Sequence, residues 1–200
     1  MHIFQDLCAN RSIKKRCSWA GANKLIEDYH DTEWGTPQHD DKILLEYLLL
    51  DLFQAGLSWQ TILNKREHFR AAFSNFNAKK IAKYRMEDSK RLLSDKGIVC
   101  NRLKVAAAVK NAHLFLDVQK EWGSFDSYIW KFVAGMPKVG NWISLEQIPA
   151  TSTESDALSK DLKKRGFSFV GSTMIYAFMQ AVGLVNDHVT NCFRFKQLRP

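Results

Sequence analysis

DDKILLEYLLLDLFQAGLSWQTILNKREHFRAAF, residues 40 to 73, is the stretch on which the fold turns. From Asp40 to Ala55 apolar residues crowd helical spacing instead of alternating as in a half-buried strand. Gly56 fits the left-handed turn that ends a helix, and Ser58 can cap a second helix running to about Phe73. One residue looks misplaced. Asp51 sits in the last turns of the first helix, among leucine and phenylalanine, where an unpartnered carboxylate is costly or gives up its charge. Asp51 is therefore either a satisfied structural residue or part of a site.

Outward from this segment the helical signals continue. Glu87 to Leu93 reads as a short helix, Ser94 to Gly97 as a tight connection, and Val105, Val109, Ala112 and Leu116 mark one face of the next helix. STESDALSKDLKKRGF offers Ser155 or Thr153 as N-cap and Gly166 as stop. GSTMIYAFMQAVG repeats the pattern with Ser172 or Thr173 and Gly183. Alternating β-type runs are almost absent, so the predicted class is all-α. No repeat, low-complexity tract or Pro/Gly-rich linker interrupts the chain, and one continuous domain is expected.

With 46% hydrophobic and 12% aromatic residues, 200 residues can bury a real core. No segment offers about twenty uncharged apolar residues in a row, so a soluble, cytoplasmic protein with no membrane partner is expected. The 29 basic against 21 acidic residues give +8, which favours a polyanionic partner without identifying it. The four cysteines, Cys8, Cys17, Cys100 and Cys192, are few and scattered, which points to free thiols or metal ligands over a disulfide framework.

His188 and Cys192 are four apart, a spacing that places both on one face if the stretch is helical; Cys17 and His30 provide a second pair. Two cysteines and two histidines make a closed tetrahedral zinc set with no open position for a water nucleophile, so zinc would be structural. An isolated H-x-x-x-C also arises by chance from ordinary core residues. Trp19, Tyr29, Trp34 and Trp59 concentrate rings in the first third of the chain. With Asp51 they suggest a pocket for a cation or planar heterocycle, or else a plain aromatic core.

YHDTEWGTP at 29 to 37, QAGLSWQTILNKRE at 54 to 67 and TSTESDALSKDLKKRGFSFVGSTMIYAFMQAVGLVNDH at 151 to 188 resemble the DNA-3-methyladenine glycosylase I family. The similarity runs collinearly over roughly residues 16 to 193. It implies a two-lobed helix-hairpin-helix glycosylase fold, with residues 1–16 as an N-terminal extension and 17–195 as one glycosylase domain. In that division a central lobe spans about 40–150, and the second lobe comes from both ends of the chain. It also implies one structural Zn2+ on Cys17, His30, His188 and Cys192. Trp59 is implied for stacking on the base, Tyr29 for polar contact, and Trp19 and Trp34 for the border. Asp51 stands where the family usually has a base-reading glutamate, and Ile26 where it often has a tyrosine.

The implied function is base-excision repair: flipping 3-methyladenine out of double-stranded DNA and hydrolysing its glycosidic bond, by a monomer with no metal in the chemistry. Methylation at ring nitrogen 3 makes the base a cation that leaves neutral, so little acid catalysis is needed. Gly56 and Leu57 are the candidate plug for the vacated stack, the alternative being a simple turn with a buried leucine. Gly97 and Ile98 are expected to open a helix whose N–H groups hold a phosphate, with Arg102 and Lys104 adding charge. Lys163, Lys164 and Arg165 are either phosphate contacts or a solvated face. The competing function is a zinc-stabilised lesion-binding protein whose shortened carboxylate and missing tyrosine have cost it catalysis; a third is a plain structural or RNA-binding helical protein, in which the rings are core.

Overall fold

In the computed structural model, which describes residues 14–199, α2 (Asp41–Gln54) is the axis of the molecule. Every residue from Leu44 to Phe53 is buried, as expected of a helix apolar on all sides. Asp40 caps it by accepting from the N–H groups of Lys42 and Ile43. Around α2 pack α3 (Trp59–Ala72), α6 (Arg102–Trp122), α7 (Phe125–Trp130) and α9 (Ser172–Ala181). Ser58 caps α3 through the Thr61 N–H, as read from the sequence, and Gly56 adopts φ +78°.

Short helices α4 (Ala78–Ile81) and α5 (Met86–Ser94) lead into a connection at Asp95–Asn101 and then α6. α8 (Thr153–Lys164) packs on α9, and α1 (Lys24–Thr32) on α3. The chain closes with α10 (Phe193–Gln197). Two-residue strands β1 (Lys138–Val139) and β2 (Val185–Asn186) pair in parallel, Lys138 opposite Val185. The architecture is mostly helical, as expected. Among the described residues no helix is long and apolar enough to cross a membrane.

The two ends of the described chain meet beside α9. The Phe193 N–H donates to the Lys15 carbonyl, and the N–H groups of Gly35 and Gln38 donate to the Gln180 and Val182 carbonyls. A side chain at Gly183 would strike the Thr36–Pro37 backbone at 2.4 Å, so glycine permits this approach. Arg16 grips Asp31 through Nε and Nη2, which anchors the last residue of the expected extension to α1; residues 1–13 lie outside the described residues.

Three local expectations are corrected. α8 is capped by Ser152, not Ser155 or Thr153, because the Ser155 hydroxyl is engaged by the Ser152 N–H and by Ser172. α9 is preceded by Gly171, and Ser172 and Thr173 lie inside the helix. His188 and Cys192 do not share a helix: they lie in the irregular segment between β2 and α10.

Candidate active site and metal cluster

Asp51 is 4% exposed, and its Oδ2 has no hydrogen-bond partner among the described residues. Burial pushes its pKa well above the usual carboxylate range. Trp59 is in the same condition: its indole Nε1 is buried without a partner while its ring is half-buried. Two orphaned polar atoms of this kind are uncommon in a native core, where such groups are nearly always paired.

The rings cluster about Trp59. Tyr29 lies 5.4 Å from Trp59 and 6.4 Å from Trp19, and Tyr47 runs nearly parallel to Trp59 at 6.5 Å. Burial pushes the Tyr29 pKa well up, so its hydroxyl stays protonated. Trp34 stands edge-on to Trp19 at 5.0 Å and to His188 at 4.6 Å, joining the ring cluster to the Cys/His cluster. Ile26 is buried one turn before Tyr29 and His30 on the same face of α1.

Tyr47 was not picked out from the sequence. Its hydroxyl donates to Glu33, which also receives Arg66, and Arg66 and Arg70 both bind Glu46 at 2.6 and 2.8 Å. This ion-pair network braces α1, α2 and α3 behind the rings. Its signal lay in the Arg66 and Arg70 spacing on α3, which no local pattern ties to Glu33 or Glu46.

A cavity of about 330 Å³ opens beside Asp51, lined by Gln54, Gly56 and Leu57 and by Thr173, Met174 and Ala177 of α9. Sequence reasoning missed the α9 residues, although their segment carries part of the family resemblance. Leu57 is 42% exposed at the rim, which removes the alternative of a buried turn leucine.

Gly97 and Ile98 do not open a helix. α6 begins at Arg102 behind the Asn101 cap, and the Gly97 and Ile98 N–H groups donate to the Asp95 side chain and carbonyl. Lys104 is also corrected. It is 7% exposed, and its Nζ donates to the carbonyls of Phe53 at 2.8 Å and Ala55 at 2.5 Å, with burial lowering its pKa. It therefore satisfies the end of α2 and does not face a phosphate. Arg102 is exposed, as are Lys163 and Lys164, whereas Arg165 is committed to Glu121 and Asp161.

Cys17, His30, His188 and Cys192 are all buried, and their ligand atoms lie within 4.8 Å of one another. The Cys192 Sγ is 3.4 Å from His30 Nε2 and 3.5 Å from His188 Nδ1, and the Cys17 Sγ is 3.6 Å from His188 Nδ1. Each imidazole donates its other N–H outward, His30 Nδ1 to Asp31 and His188 Nε2 to the Trp34 carbonyl. That leaves the inward nitrogens as lone-pair donors, the arrangement a metal requires. The neighbouring Cys192 thiol and burial raise the pKa of Cys17, and Cys17, with His188 and His30 facing it, lowers that of Cys192. No disulfide occurs among the described residues.

These features coincide with close relationships to known proteins. A methyladenine glycosylase family model matches residues 19–195. DNA-3-methyladenine glycosylase 1 of Escherichia coli (strain K12) is 46% identical over 186 residues, which cover 93% of this chain and 100% of that protein. A solved 3-methyladenine DNA glycosylase I matches with a TM-score of 0.87 at 47% identity, over 90% of this chain and 98% of that one. The Staphylococcus aureus enzyme, solved to show how 3-methyladenine is recognised, matches with a TM-score of 0.87 at 34% identity, over 92% and 96%. The chain belongs to the methyladenine glycosylase family.

Proposed function

We propose the following division of labour for the reaction that this chain, as a DNA glycosylase, carries out: hydrolysis of the bond between 3-methyladenine and deoxyribose, initiating base-excision repair. The observation that carries it is the pair of buried, unpartnered polar atoms, Asp51 Oδ2, which borders the cavity beside Leu57, and Trp59 Nε1, whose ring packs on Tyr29. An extruded purine cation stacks on Trp59, and the Asp51 carboxylate accepts its exocyclic amine and offsets its charge. The Tyr29 hydroxyl, held protonated, supplies a neutral polar contact. Trp19 and Trp34 close the border.

Because the cationic base departs neutral, the protein needs no strong general acid. It supplies extrusion, orientation and an anionic group in a water-poor site as positive charge moves toward the sugar. Leu57, raised on the Gly56 turn, fills the vacated stack of double-stranded DNA. Of the phosphate contacts read from the sequence, Arg102, Lys163 and Lys164 are exposed and meet the DNA backbone. The α9 N-terminus adds free N–H groups, since Gly171 gives it no side-chain cap.

The Cys/His cluster fits one structural zinc. Bond lengths of about 2.3 Å to sulfur and 2.0 Å to nitrogen, at tetrahedral angles, separate ligand atoms by about 3.5 Å, close to the 3.4–3.6 Å seen here. Held by Cys17, His30, His188 and Cys192, the metal would cross-link the chain ends and leave no coordination site for chemistry. The protein acts as a monomer in which the central 40–150 segment and the two joined ends form the walls of a helix-hairpin-helix cleft.

The test is release of 3-methyladenine from alkylated duplex DNA, followed by chromatography. Burst release in single turnover supports the assignment; tight lesion binding without release would favour a recognition protein over an enzyme.

A further inference from the structure

Lys104 remains unexplained by base recognition. A lysine 7% exposed on a basic protein's helical surface is uncommon, since such side chains keep their ammonium in water. Here the ammonium crosses from the first turn of α6 to the last turn of α2, where the carbonyls of Phe53 and Ala55 have no intrahelical donor. It also opposes the negative end of the α2 dipole. The next two residues are Gly56 and Leu57. A second lysine makes the reciprocal contact: Lys65 of α3 donates to the carbonyls of Lys96 and Gly97 in the connection before α6. The α2–α3 turn and the Asp95–Asn101 connection are thus clasped from both sides by lysines that hold backbone carbonyls.

We propose that Lys104 is a positioning residue for base extrusion, its ammonium fixing the height and direction of the Gly56–Leu57 turn against α6 so that Leu57 enters the vacated stack in register. This rests on the assignment of Leu57 as the plug. Three consequences separate it from a phosphate contact and from a general stabiliser. Removing the ammonium acts on duplex substrates, where a stack must be opened and filled, and not on single-stranded ones. It leaves the salt dependence of DNA binding unchanged, because no phosphate contact, and so no counterion release, is lost. It acts through Leu57, so the two changes are not additive.

The experiment compares Lys104→Met, Lys104→Arg, Leu57→Ala and the Lys104→Met/Leu57→Ala double variant. It measures single-turnover release of 3-methyladenine from duplex and single-stranded alkylated DNA, fluorescence of 2-aminopurine beside the lesion, and Trp59 quenching by free 3-methyladenine as a check on the folded pocket. For Lys104→Met the expected result is a fall in duplex release of about tenfold or more, in line with small misplacements of positioned groups. Single-strand release and free-base binding should be kept, the 2-aminopurine signal diminished, and the double variant should be no slower than Leu57→Ala. Lys104→Arg should recover part of the loss. Equal losses on both substrates, or a salt slope lowered by about one, would overturn the proposal. Unchanged duplex release in Lys104→Met with impaired Leu57→Ala would overturn it alone, whereas unchanged release in Leu57→Ala would remove the plug assignment beneath it.

Discussion

Asp51→Asn separates a carboxylate kept for a ligand from one kept for the fold. In the free protein Oδ2 has no partner among the described residues, and burial raises the pKa. A raised folded-state pKa means that the native state holds a proton the unfolded state has already released. Stability is therefore intact below the unfolded carboxylate value of about 4 and falls as pH rises through the folded-state pKa. Asparagine removes that loss. The variant should melt at or above the parent temperature at neutral pH, with no gain near pH 3. Excision should move the opposite way. A carboxylate about 4 Å from a unit positive charge at an effective dielectric of about 20 gains about 4 kcal/mol. Asparagine retains a neutral acceptor worth about 1 kcal/mol. The remaining difference of about 3 kcal/mol corresponds to a little over a hundredfold in single-turnover rate. Because the ionised form is needed, parent kcat/KM should rise with pH through the elevated Asp51 pKa, and the variant should lose that limb. Differential scanning calorimetry and chromatographic base release measure both quantities. A variant that melts lower and excises in proportion to its folded fraction would refute the reasoning.

Asp51→Glu lengthens the acid into a cavity of about 330 Å³ and should raise 3-methyladenine release if aspartate underreaches; reduced release would mean a pocket shaped around the shorter acid. Metal analysis should find one zinc per chain, and Cys192→Ala should lose it together with several kcal/mol, about 10 °C of melting temperature at this size. Retention of both zinc and melting temperature would reject the metal assignment. Arg66→Met leaves Glu33 without its guanidinium and Glu46 with Arg70 alone, so urea unfolding should show a loss of about 3 kcal/mol. The logarithm of duplex affinity should fall linearly with log salt, and Lys163→Ala and Lys164→Ala should each flatten that slope by about one if both meet phosphate.

The residues differ in how far their roles could be read before folding, and the difference follows from where each partner lies. The buried, unpartnered state of Asp51 was legible because its anomaly is local: a carboxylate amid leucines is conspicuous whatever surrounds it. The α2 and α3 caps were legible because Asp40 and Ser58 bond N–H groups two or three residues away. In TSTES, by contrast, several hydroxyls could cap α8, and tertiary contact selected Ser152 by drawing Ser155 toward Ser172. The Cys192 and His188 spacing pointed to the right cluster through the wrong conformation. A short irregular segment can converge two ligands as well as a helix turn can, and only the second pair, over 150 residues earlier in the chain, distinguishes the two. Lys104 was assigned to phosphate by the general expectation that lysine faces solvent. What overrides that expectation is a pair of unsatisfied carbonyls 49 and 51 residues away. A helix end creates such acceptors wherever it is buried, so a cation elsewhere must meet them. That obligation belongs to the packed structure, and it converts an apparent DNA contact into the clasp that holds the Leu57 turn.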